Sequence, residues 1–133
     1  MRTVFADTFY FLALLDSREE FHPQAALFSR DPELRLVTTE WVLAEFGNAY
    51  SDPQDRADFV CLHRTLRSHP RVKVASADTR LFQRGVDLFG QRADKHWSLV
   101  DCLSFIVMQE ERLTEALTGD RHFEQAGFGP LLI

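Results

Sequence analysis

Four acids stand where they could work together: Asp7, Glu45, Asp101 and Asp120. Asp7 follows the apolar run Val4, Phe5, Ala6, and Asp120 follows closely on Ala116, Leu117 and Thr118, so each lies where a short buried strand stops. Asp101 sits in the first turn of an almost wholly apolar stretch running to Met108 and completes the S-x-x-D form of a capping box with Ser98. Each of these three has a plain explanation as a helix cap. Glu45 has none: on a helix beginning at Glu40 it shares a face with Trp41, Val42 and Ala49, a side expected to be buried, and positions 41, 42, 48 and 49 offer it no basic partner. An inward acid without a partner marks a candidate functional site. Carboxylates gathered within a few ångströms raise one another's pKa, so such a cluster needs protons or a divalent cation. Oxygen ligation without His or Cys selects Mg²⁺ or Mn²⁺ over zinc, and a cation held by few carboxylates keeps open positions suited to in-line attack on a phosphodiester.

The rest of the chain supplies elements to carry these acids. A strand at Val4–Ala6 leads through Asp7-Thr8 into an apolar helix from Phe9 to Leu15. His22-Pro23 opens a second helix through Phe28, with proline at its first helical position. Leu34 to Thr38 is a second strand, and Thr39 caps a helix from Glu40 to about Tyr50. Residues 54 to 68 form an amphipathic helix with Phe59, Leu62 and Leu66 on one face. Val72, Val74 and Ala75 give a third strand, followed by a helix at 78 to 89. The polar loop Gln91 to His96 precedes the capped helix that carries Asp101. A fourth strand at 115 to 118 and an edge strand at Phe128 to Ile133 finish the series. Alternating short strands and helices predict a three-layer α/β/α domain with a mainly parallel central sheet, whose ligands bind at the carboxyl ends of the strands.

Composition sets the outer bounds. At 133 residues and 45% hydrophobic, the chain is expected to be a single domain, residues 1 to 133. It lacks a signal-peptide pattern and any run of 18 apolar residues, so a cytoplasmic protein off the membrane is expected. Cys61 and Cys102 lie in apolar helix-like stretches without metal-knot spacing, and read as reduced core thiols. The net charge of −5 disfavours nucleic-acid binding taken alone. Locally the balance reverses: Arg64, Arg67, Arg71, Lys73, Arg80, Arg84, Arg92 and Lys95 outnumber Asp78, Asp87 and Asp94 in the central third. A basic flank beside an acidic cleft could hold a phosphate backbone, and ordinary solvated helix faces explain it equally well. Aromatics available among Phe9, Tyr10, Trp41 and Tyr50 leave room for a patch joining a homodimer.

Four segments also carry a resemblance: Phe5-Ala6-Asp7-Thr8, Thr38 through Glu45, Trp97 through Cys102, and Leu117-Thr118-Gly119-Asp120-Arg121-His122-Phe123. In this order, across nearly the whole chain, they resemble the four motifs of the PIN domain, and most closely its small single-domain members, many of them VapC-type ribonuclease toxins of toxin-antitoxin pairs. The resemblance implies that Asp7, Glu45, Asp101 and Asp120 are a Mg²⁺-binding catalytic quartet, with Asp7 and Asp101 as the most direct ligands. Glu45 and Asp120 would act through waters or a second ion. It implies Thr8 and Thr118 as hydroxyl supports, Arg121 and His122 with the basic flank as RNA contacts, cleavage of RNA by a metal-activated water, and an antitoxin whose tail occupies the acidic groove. Where many members carry Ser or Thr before the third acid, this chain has Val100.

Other readings fit less well. A phosphotransfer receiver needs an acid pair after its first strand and an acceptor Asp after its third, and a haloacid-dehalogenase-type phosphatase needs D-x-D where this chain has Asp7-Thr8-Phe9. A metal-free ribonuclease would pair two histidines, and His22, His63, His69, His96 and His122 show no such spacing. The rival that sequence cannot separate is a binding module that keeps the fold and the acids but cleaves weakly or not at all.

Overall fold

The structure is a computed structural model describing residues 1–133. Five strands, β1 (Arg2–Ala6), β2 (Leu34–Thr39), β3 (Val72–Ala75), β4 (Glu115–Leu117) and β5 (Gly129–Pro130), form one sheet in the order β3-β2-β1-β4-β5, every pair parallel. Seven helices connect them: α1 (Thr8–Leu15), α2 (His22–Ser29), α3 (Glu40–Asn48), α4 (Arg56–Ser68), α5 (Thr79–Gln91), α6 (Leu99–Glu110) and α7 (Arg121–Gln125). This is the predicted α/β/α arrangement.

The sheet order matters because it puts β1 in the middle. Its residues Phe5 and Ala6 pair with Ala116 and Leu117 on one side, while Phe5 pairs with Val37 on the other. The Thr38 hydroxyl donates to the Ala6 carbonyl at 2.8 Å, pinning the end of β1 one residue before Asp7. Chain that leaves β1 and chain that leaves β4 therefore emerge side by side.

Local chemistry explains the helix starts. Thr39 Oγ1 accepts from Val42 N at 3.0 Å, and Asp78 caps α5 by accepting from Leu81 N at 2.7 Å. At α6 both halves of the capping box form: Ser98 Oγ accepts from Asp101 N, and Asp101 Oδ2 accepts from Ser98 N, each at 3.0 Å. Every residue from Asp101 to Met108 is buried, with Leu, Ile, Phe and Met side chains each contributing about 1.5–3 kcal/mol. The α5 helix packs hard against α6 at Gly85, where an added Cβ would meet Leu103 Cδ2 at 2.4 Å.

Three expectations need correction. The last strand shrinks from 128–133 to Gly129–Pro130, because Pro130 has no N–H to extend a ladder; Leu131 N and Leu132 N still hold the chain beside β4 by donating to Ala116 O and Thr118 O. Cys61 is exposed rather than a core thiol, since α4 turns Leu66 inward and leaves Cys61 on its outer face, whereas Cys102 is buried. Of the aromatics considered for a patch, Tyr10 drops out at 2% exposure, while Phe9, Trp41 and Tyr50 pack partly against the core and stay partly exposed. No helix is long and apolar enough to cross a membrane.

Candidate metal centre

At the carboxyl edge of the sheet, β1 delivers Asp7 and β4 delivers Thr118. Thr118 Oγ1 donates to Asp7 Oδ2 at 2.9 Å across 111 residues of sequence, and the same oxygen accepts from Asp120 N at 3.0 Å. One buried hydroxyl thus fixes two of the acids. Gly119 makes this turn possible, because a Cβ there would lie 2.6 Å from Phe9 Cζ and 3.0 Å from Leu132 O. Asp120 caps α7 through Oδ1, which accepts from His122 N at 2.9 Å.

Asp101 comes from the first turn of α6. Its Oδ2 takes the Ser98 N–H, and His122 Nδ1 lies 2.8 Å from that same oxygen. His122 Nδ1 is also 3.5 Å from Asp120 Oδ1. One ligand atom from each of Asp101, Asp120 and His122 therefore falls within 4.8 Å of the others. In each aspartate one oxygen serves the protein, while Asp101 Oδ1 and Asp120 Oδ2 accept no hydrogen bond from it.

Asp7 is 6% exposed, and burial pushes its carboxyl up to about 7. The Thr118 hydroxyl and the Thr8 backbone hold it down against that effect, while Asp101 and Glu45 push it further up by charge repulsion. Unlike Asp120, Asp7 makes no side-chain cap to its own helix. No lysine or arginine forms an ion pair with Asp7, Asp101 or Asp120. Burying anionic oxygens without a counter-charge is costly, and a hard divalent cation is the species this donor set fits.

Placement of the other expected residues is mixed. Glu45 is exposed rather than turned into the core, because α3 buries Val42, Leu43 and Phe46. It is nonetheless close enough to Asp7 to act on its carboxyl. Thr8 is buried with a hydroxyl that finds no hydrogen-bond partner, so it acts on Asp7 through its backbone and not through the expected hydroxyl. Arg121 is exposed. His122, expected as an RNA contact, instead faces two acids, a juxtaposition that its distance of 21 residues from Asp101 hid from sequence. Much of the basic flank is already engaged: Arg67 pairs with Glu40, Lys73 with Glu111, Arg80 and Arg84 with Glu110, and Arg92 with Asp94.

A parallel α/β sheet with aspartates converging at its carboxyl edge defines a class of acid-lined domains. Residues 4–129 match the PIN domain, and the chain belongs to that family. Among solved structures it is similar to the Mycobacterium tuberculosis toxin VapC20, described as cleaving the sarcin-ricin loop, with 24% identity, a TM-score of 0.85, and coverage of 98% of this chain and 99% of that one. FitAcB from Neisseria gonorrhoeae is similar at 16% identity and a TM-score of 0.67, over 98% of this chain and 96% of that one. VapBC-1 from nontypeable Haemophilus influenzae gives 14% identity and a TM-score of 0.66, over 98% and 97%. These likenesses establish the fold. No curated protein sequence matches the chain.

Proposed function

We propose that this single PIN domain is a Mg²⁺- or Mn²⁺-dependent endoribonuclease, the toxin of a cytoplasmic toxin-antitoxin pair. The observation that carries the proposal is the convergence of Asp7, Asp101 and Asp120 from three distant segments, with Glu45 on the solvent side and no lysine or arginine paired with these aspartates. Membership of the PIN family and the similarity to VapC20, itself described as a sarcin-ricin loop cleaving toxin, support it. A protein antitoxin reaching into the acidic edge and a homodimeric assembly belong to the same proposal.

Asp7, Asp101 and Asp120 would hold the cation, with Glu45 joining from the exposed side. The bound cation supplies Lewis acidity toward a phosphodiester oxygen and lowers the pKa of water. The chain's own residues prepare for this. Thr118 fixes Asp7 and Asp120 in one register, Ser98 fixes Asp101, and the buried setting of Asp7 keeps bulk water from screening its charge.

The test compares RNA cleavage by wild type and Asp7→Asn with Mg²⁺, Mn²⁺ or EDTA. Cleavage is expected only in the wild type with a cation, leaving 5′-phosphate ends. Cyclic phosphate ends, or cleavage persisting in EDTA, would overturn the mechanism, and RNA binding without cleavage would identify the domain as a binding module.

A further inference from the structure

We infer that His122 is a nitrogen ligand of this centre and tilts it from Mg²⁺ toward Mn²⁺. The inference rests on the metal-site reading proposed above and departs from the all-oxygen set expected from the sequence. His122 Nδ1 approaches Asp101 Oδ2 at 2.8 Å and Asp120 Oδ1 at 3.5 Å. A single N–H can point at only one of them, and Asp101 Oδ2 is already served by the Ser98 N–H. The same spacings suit three donors around one ion: ligands at about 2.1 Å in octahedral geometry sit roughly 3 Å apart when adjacent.

The imidazole is also held in place. The backbone N–H of His122 donates to Asp120 Oδ1, and the following residue, Phe123, is fully buried with its ring edge-on to Phe105 at 5.0 Å. The side chain of His122 stays 29% exposed, so a small ion has a route in. Mg²⁺ prefers oxygen throughout, whereas first-row transition cations accept imidazole nitrogen readily. Adding one imidazole to the carboxylates therefore separates Mn²⁺ from Mg²⁺ in a way that carboxylates alone do not.

Calorimetric titration of wild type, His122→Ala and His122→Asp with Mn²⁺ and with Mg²⁺, joined to pulsed electron paramagnetic resonance of the Mn²⁺ forms, tests this. Wild type should show coupling of Mn²⁺ to a ¹⁴N nucleus that both variants lose. The ratio of Mn²⁺ to Mg²⁺ affinity should fall about tenfold or more in His122→Ala. His122→Asp, which restores an oxygen donor, should recover binding but shift preference toward Mg²⁺. Absence of ¹⁴N coupling in the wild type, no saturable Mn²⁺ binding, or an unchanged affinity ratio in the folded variants would overturn the inference. Because the wild-type spectrum stands alone, misfolding of a variant leaves the question decidable. A protein that binds Mn²⁺ through nitrogen yet fails to cut RNA would sink the proposed activity and leave this assignment standing.

Discussion

Acids in this molecule occupy two contrasting regions. On the flank formed by β3, α5 and α6, carboxylates meet cations: Glu110 receives Arg80 and Arg84, Glu111 receives Lys73, and nearby Glu40 receives both Arg67 and the Ala77 N–H. Glu40 and Glu110 are accordingly held below the ordinary carboxylate range. At the carboxyl edge of the sheet the opposite holds. Asp7, Asp101 and Asp120 gather with only a histidine between them, and Asp7 is pushed up to about 7. The same chain that balances charge on one face leaves it unbalanced on the other, and that imbalance is the ground for the cation proposed above. It also explains why a basic central third need not mean a basic surface.

Substitutions sharpen the contrast. Asp7→Asn or Asp101→Asn should reduce metal-dependent RNA cleavage by on the order of a thousandfold in a single-turnover assay, whereas Glu110→Gln should leave the rate within about twofold. Equal losses at both places would dissolve the distinction between the regions.

Acidity gives the next largest effect. The folded protein holds the Asp7 proton up to about pH 7, while the unfolded carboxyl releases it near its ordinary value of 3.8. Protons are thus bound more tightly in the folded state, and without cation the stability contributed by this group is undiminished below about pH 4. It falls as pH rises toward 7, by about 2–4 kcal/mol in all. Denaturant unfolding in EDTA at pH 5 and pH 8 should show this slope in the wild type and a much flatter one in Asp7→Asn, with Mn²⁺ restoring the wild type at pH 8. A slope shared equally by both proteins would place its origin elsewhere.

Removing the bridging hydroxyl in Thr118→Val leaves Asp120 N without its partner and Asp7 without its donor, at a cost of about 1–3 kcal/mol. Urea unfolding measures that loss, and cleavage should drop alongside it; intact cleavage would mean that Asp7 needs no such support. Ser98→Ala should give the smallest effect, about 1 kcal/mol from the lost cap on α6.

Sequence revealed what depends on near neighbours. The Ser98–Asp101 capping box, the Thr39 cap and the parallel sheet of an α/β domain all follow from residues within a few positions or from the alternation of elements. What escaped depends on tertiary placement. The helical-face estimate turned Glu45 inward, but α3 rolls Val42, Leu43 and Phe46 onto the core and leaves Glu45 at the edge of the cleft. His122 was visible only as a polar residue next to an acid, since nothing local signals that α6 lies beside it. The basic residues looked available because their partners, Glu40, Glu110 and Glu111, lie in other elements.

The central place of β1 has a consequence for the order in which the molecule is built. Asp7 is synthesised 111 residues ahead of the hydroxyl that holds it, and β4 must slot in beside β1 for the two to meet. Until then the emerging polypeptide carries its first acid on an open strand edge, with the sheet half made. Only when β4 docks does the Thr118 hydroxyl reach Asp7, so the acidic edge of the sheet is assembled late in the growth of the chain.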